Sequence, residues 1–195
     1  MEEVEVRTAE KRSRKTISLI VFIIIAVAIG ILLQRYVSFI NLSRKTLIVV
    51  GDSAPVFTFP GLAGKMVSLT DYKGKVVFLN IWATWCPPCK EEMPSMEKLY
   101  QQLKGEDFEI LAVSVDASGA EDVGPFVKEL GLSFPVLLDS EGTMLNIYGT
   151  TGLPESFIIG KEGVIEEIVI GPKDWSTPEV VRLFRNLLQK PQAGE

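Results

Sequence analysis

"IWATWCPPCKEEMP", residues 81–94, holds both cysteines of the chain, Cys86 and Cys89, with only two prolines between them. Just upstream, "VVFLNIWA" (76–83) is a nearly continuous apolar run rich in β-branched and aromatic residues. That is the pattern of a strand buried on both faces, as in the middle of a sheet. Downstream, Met93, Met96, Leu99, Tyr100 and Leu103 recur at helical spacing, which predicts a helix from Cys89 to about Leu103. The cysteine pair therefore sits at a strand-to-helix junction. Three chemistries use such a pair: a metal clip, a structural staple and a redox dithiol. A zinc clip needs about four ligands, and the chain has two cysteines and no histidine. Haem attachment through C-x-x-C-H fails because Lys90 follows Cys89. A staple across so short a loop gains little chain entropy. A redox dithiol is the reading that remains, and it needs no metal or other cofactor.

The junction suits that chemistry. Cys86 falls at the helix start, where unpaired backbone N–H groups and the positive end of the helix stabilise a thiolate. The thiolate is the nucleophile in disulfide exchange, and Cys89, one turn on, can resolve the mixed disulfide. Pro87 and Pro88 lack an N–H and hold φ near helical values, which stiffens the loop. Glu92 lies three positions after Cys89 and shares its helix face. It is either a solvated helix glutamate or a carboxylate that raises the thiol pKa values and accepts a proton. Trp85 reads as a client-facing platform or as a packed aromatic. Pro154 in "TGLPESF" can be an ordinary proline ahead of a strand, and nothing local decides it; Pro94 reads as a kink in the helix.

Outward from this core, "GDSAPVFTFPGLAGKMVSLTDYKGK" (51–75) holds two short alternating runs around Gly61 and Gly64, a predicted β-hairpin. "FEILAVSVD" (108–116) is a second buried strand, and "EDVGPFVKELG" is a helix stopped by Gly131. "FPVLLD" is a short strand and "SEGTMLNIYG" a turn with a short helix. "ESFIIGKEGVIEEIVIG" is a hairpin turning at "KEG". A final helix spans "STPEVVRLFRNLLQK", with Thr177 as N-cap, Pro178 at its first position and Glu179 in its first turn. Early β–α alternation followed by a late hairpin predicts an α/β fold. Its mixed central sheet carries helices on both faces.

The amino-terminal part differs. "ISLIVFIIIAVAIGILL" (17–33) carries no charge, and Ser18 is its only polar side chain. As a helix it spans about 26 Å, the short end of a bilayer crossing. Arg7, Lys11, Arg12, Arg14 and Lys15 precede it, whereas only Arg35, Arg44 and Lys45 follow closely. That bias predicts a cytoplasmic N-terminus and a domain outside, with Tyr36 and Phe39 as interfacial aromatics. A cleaved signal peptide ending at "AVA" (26–28) would leave "IGILLQRY", too apolar for a cleavage region. No cysteine lies at the end of the run to carry a lipid. The sequon "NLS" (41–43) reads as chance. The chain is acidic, with a formal net charge of −5, and has no basic aromatic-studded stripe, which argues against a nucleic-acid partner.

"VVFLNIWATWCPPCKEEMP" followed at a distance by "GLPESFII" resembles the thioredoxin fold, and specifically the membrane-anchored ResA/TlpA/CcmG (DsbE) branch. The resemblance spans about 51–190; 51–75 looks like the branch's N-terminal hairpin and about 117–138 like its central insertion. It implies that Cys86 attacks, Cys89 resolves, Glu92 is the active-site glutamate and Pro154 is a cis-proline facing the pair. Leu153 would pair its backbone with a bound peptide, and Trp85 would face the client. Clients of this branch are oxidised cysteine pairs outside the cytoplasm, notably those of apocytochrome c, and a multihelix membrane reductase is its usual electron donor. Ordinary thioredoxins carry a buried aspartate six residues before the first cysteine. Here that position is Asn80, which leaves Glu92 as the proton acceptor.

The chain is then divided into a cytoplasmic tail (1–16), a transmembrane signal-anchor helix (17–35) contacting lipid, a tether (36–50), a thioredoxin-like domain (51–190) and a C-terminal tail (191–195). Rival functions are a disulfide oxidant or isomerase, a thiol peroxidase and a copper-delivery module of the Sco type. The peroxidase would need proline and threonine where Leu79 and Ala83 stand, and an arginine absent between Arg44 and Arg182. The copper module would need a histidine.

Overall fold

A computed structural model of the chain describes residues 25–35 and 48–191. The chain divides into two units, Met1–Lys45 and Thr46–Glu195. In the first, residues 25–35 form a helix, α1. Among the described residues no helix is long and apolar enough to cross a membrane. The rest of the 17–35 anchor, the 1–16 tail, the sequon and most of the tether lie outside the described residues.

The second unit opens with a small antiparallel hairpin of β1 (Thr58–Pro60) and β2 (Met66–Ser68), then a 3-10 turn over Leu69–Tyr72. Gly64 turns it at φ +78°, a backbone angle that favours glycine. A five-stranded sheet follows, built from β3 (Val76–Trp82), β4 (Phe108–Ser114), β5 (Val136–Leu138), β6 (Glu155–Ile159) and β7 (Ile165–Ile170). Its order is β5-β4-β3-β6-β7, so β3 is central, as its nearly continuous apolar run predicts. All seven of its residues are buried. The helices are α2 (Pro87–Leu103), α3 (Ala120–Leu130), α4 (Thr143–Ile147) and α5 (Pro178–Gln189). α2 continues through Pro94 to Leu103. Thr177 caps α5 by accepting the Val180 N–H, and Gly131 ends α3 in the left-handed region, both as the sequence predicts.

Residues two apart on a strand share a face, and the contacts of β3 identify each layer. On one face Phe78 meets Trp175 and Phe184 of α5, Trp82 meets Phe126 of α3, and Asn80 bonds to Glu92 of α2. The other face is shared by Leu79 and its cross-strand partner Phe157. There Phe157 packs on Tyr148, which packs on Phe57 beside the small hairpin. Val180, Val181, Phe184 and Leu187 form the buried stripe of α5, and each such side chain contributes roughly 1.5–3 kcal/mol.

Strand direction gathers the loops that matter. β4 runs parallel to β3, with Trp82 opposite Ser114, and β6 runs antiparallel, with Ile81 opposite Glu155. The residues after β3, those after β4 and those before β6 therefore meet at one end of the sheet. Because Ile170 of β7 pairs with Glu155, the loop after β7 joins them there.

Candidate active site

Cys86 is the N-cap of α2 and Cys89 lies in its first turn. They are joined in a disulfide, S–S 2.08 Å, with 5.3 Å between Cα atoms. Pro87 and Pro88 fill the first two helical positions, so the first backbone N–H the helix offers belongs to Cys89. That N–H points at Cys86 Sγ, 3.3 Å away. In the reduced protein the same donor would stabilise a Cys86 thiolate. No acidic residue stands in the first turn to oppose it. Cys86 is 5% exposed and Cys89 not at all. The outer sulfur is thus the one a client can reach, and the inner one is shielded from water.

The loop before Cys86 is held by a residue that the sequence did not single out. Asp116, buried after β4, accepts from the Thr84 backbone N–H at 3.0 Å, from Thr84 Oγ1 at 2.5 Å and from Ser114 Oγ at 2.6 Å. Val115 N–H reaches Trp82 O at 2.9 Å. These bonds fix the turn that presents Trp85 and Cys86. Trp85 is 66% exposed, so of its two sequence readings the packed aromatic is excluded.

On the other side of the pair the Leu153–Pro154 peptide is cis. Trp85, Cys86, Pro87, Thr151, Gly152 and Leu153 line one groove of about 430 Å3. The structure thus brings Trp85, Cys86 and Leu153 together around an apolar cleft, with Pro154 buried beside them.

Glu92 is neither a surface glutamate nor paired with a cation. It is 3% exposed. Its Oε1 accepts from Asn80 Nδ2 at 2.9 Å, and its Oε2 from Trp175 Nε1 at 2.9 Å and from the Lys173 backbone N–H at 3.3 Å. Burial pushes its carboxyl above the ordinary glutamate value, and the three donors pull back in part. Asn80, fully buried, also donates to Ser156 Oγ at 3.0 Å, which leaves its own Oδ1 without a partner. Lys173 and Trp175 lie more than eighty residues from Glu92, and no local signal in "GPKDW" pairs them with it. Among the described residues no three His, Cys, Asp or Glu side chains gather into a metal site.

Comparison with known proteins agrees with this geometry. The AhpC/TSA family model matches residues 50–168. The thiol-disulfide oxidoreductase ResA of Bacillus cereus is 41% identical over 160 residues, 81% of this chain and 89% of that protein. ResA of Bacillus subtilis is 35% identical over 180 residues, 92% of this chain and 96% of that protein. The crystal structure of a thiol:disulfide interchange protein of the thioredoxin family from Chlorobium tepidum superposes with a TM-score of 0.61 at 26% identity, covering 72% of this chain and 99% of the other.

Proposed function

Because the chain belongs to the AhpC/TSA family, and within it to the ResA-type thiol–disulfide oxidoreductases, we propose that it reduces disulfides in client proteins outside the cytoplasm. Apocytochrome c awaiting haem is the leading client. The observation that carries the reading is the Cys86–Cys89 disulfide at a helix N-terminus, with its outer sulfur in an apolar groove beside cis-Pro154.

The reaction runs in two exchanges. The Cys86 thiolate attacks one sulfur of the client disulfide, forms a mixed disulfide and releases the other client sulfur as a thiolate. Cys89 then gives up its proton and attacks Cys86 Sγ. That step forms the Cys86–Cys89 bond seen here and releases the second client thiolate, which takes up a proton. Because Cys89 is fully buried, its proton has no direct path to water. Glu92, on the same helix face and with its proton affinity raised by burial, is the acceptor. Trp85 and Leu153 bind the client in the groove. Two electrons and two protons from a membrane thiol reductase restore the dithiol. Residues 17–35 anchor the chain to the cell membrane as a single span with its N-terminus in the cytoplasm. The cationic residues ahead of that run support this orientation.

The peroxidase and copper rivals lack the parts they need. Leu79 and Ala83, at the positions where a peroxidase needs proline and threonine, are buried apolar core, and the chain has no histidine for a copper site. The test is the reduction potential of the pair in thiol/disulfide buffers, with trapping by Cys89→Ala. A value near about −270 mV, with client held on Cys86, supports a reductant; one near about −120 mV makes the protein an oxidant.

A further inference from the structure

We propose that Trp175 is a positioning residue of the dithiol site, its indole N–H holding the Glu92 carboxylate and setting the pH at which that group takes a proton. The inference rests on the reading of Glu92 as proton acceptor. Two of the three donors on Glu92 come from a single segment, the 171–177 loop between β7 and α5. Both converge on Oε2, so this loop sets the environment of that oxygen.

The loop is built to hold the indole still. Gly171 N–H bonds to Pro154 O at 2.9 Å, tying its start to the cis-proline. Ser95 of α2 accepts the Trp175 backbone N–H at 3.0 Å and donates to Glu92 O at 2.7 Å, so it clamps the loop to the turn that carries Glu92. The indole is fully buried, its ring 4.3 Å from that of Phe78. Lys173 Nζ lies 5.2 Å over the same ring and pairs with Glu167 at 3.2 Å. Fully enclosed and packed against Phe78 and Lys173, the ring can turn little, and its N–H stays on Oε2.

An indole can only donate. It favours the ionised carboxylate and offers nothing to a protonated Oε2, which makes it a bias rather than a passive filler. Charges also reach Glu92 from other elements. From α2 these are Glu91 and Lys98, and from the loop Lys173 and Asp174. Glu167 of β7 pairs with Lys173, Cys89 lies three residues back and Cys86 six. β3 and β6 supply only the neutral Asn80 and Ser156. All of them persist when the indole N–H alone is removed.

The experiment replaces Trp175 by benzothienylalanine, which keeps the ring shape and exchanges N–H for sulfur, and in parallel by phenylalanine. In the full chain in detergent, the Glu92 carboxyl carbon is followed by 13C NMR, identified as the signal lost in Glu92→Gln. The pH profile of exchange with a small disulfide is recorded alongside. Losing one charge-assisted hydrogen bond should tighten proton binding by Glu92 about tenfold and carry the exchange profile upward with it. An unmoved carboxyl midpoint in the isosteric variant overturns the inference. A midpoint that moves, with Glu92→Gln leaving the exchange profile as in the parent, upholds the hold of Trp175 on the carboxylate. That outcome overturns instead the proton-acceptor role of Glu92.

Discussion

Replacing Glu92 by glutamine should make the protein more stable while making it a poorer catalyst, and the gain should grow with pH. The sign follows from the direction of the carboxyl shift. Burial lifts the folded-state proton affinity of Glu92 above that of an exposed glutamate, and the three donors do not fully offset it. Below the ordinary glutamate range both folded and unfolded chains hold the proton, and the group is harmless. As pH climbs through the window between the ordinary value and the raised one, the unfolded chain ionises more readily, and folding loses free energy. Each pKa unit corresponds to about 1.4 kcal/mol, or about 3–6 °C in Tm for a domain of this size. Glutamine escapes that loss and keeps the hydrogen bonds. Its oxygen can accept from Trp175 and Lys173, and its amide can face Asn80 if that side chain turns its unpartnered Oδ1 inward. Thermal unfolding of the oxidised protein and of Glu92→Gln, from about pH 4 to pH 8.5, is the assay. Glu109, whose carboxyl burial also raises, is present in both proteins and drops out of the difference. A Tm gap that stays flat, or closes as pH rises, would refute the reasoning.

Two further substitutions separate binding from architecture. Trp85→Ala removes a side chain that is 66% exposed, so stability should change by less than about 0.5 kcal/mol. Its kcat/KM for a protein client should fall several-fold, and a large drop in Tm would show that the indole is structural after all. Asp116→Ala strands the Thr84 N–H and two hydroxyls. It should lower stability by about 2–4 kcal/mol and slow Cys86 attack on a small disulfide, measured by stopped-flow at a temperature where the variant is folded. An attack rate equal to that of the parent protein would free Asp116 from any part in aiming Cys86.

The parts of this fold readable from sequence are those set by neighbours along the chain. The buried run of β3, the helical spacing of Met93, Met96 and Leu99, the Thr177–Pro178 cap and the "KEG" hairpin each carry their signal within about ten residues. The dithiol belongs to this class, since its chemistry is fixed by a four-residue motif at a strand end. What escaped was set by distant partners. Spacing alone left Glu92 undecided between a solvated face and a buried site. Its burial depends on Trp175 and Lys173, brought near by the pairing of β6 with β7. Asp116 escaped for the same reason: the strand end was visible, but its register against β3, which puts it beside Thr84, was not. For Pro154, nothing local decided the matter, whereas the family resemblance implied the cis bond found in the structure.

Asn80 shows how one neutral side chain simplifies the proton chemistry. The sequence suggested that asparagine there removes a proton acceptor; the structure adds that it touches the carboxylate proposed in that role, 2.9 Å from Glu92 Oε1. An aspartate in the same place would set two carboxylates in contact in a buried site. They could not both ionise, and the two would titrate as a pair. With asparagine the site holds a single carboxylate whose proton is its own. The amide also suits either state of that carboxylate: Nδ2 donates to the ionised form, as seen here, and a turned Oδ1 can accept from the protonated form while Ser156 rotates its hydroxyl to match. A group proposed to gain and lose a proton in every cycle is served by a neighbour that suits both states without competing for the proton, and a second carboxylate would compete for it.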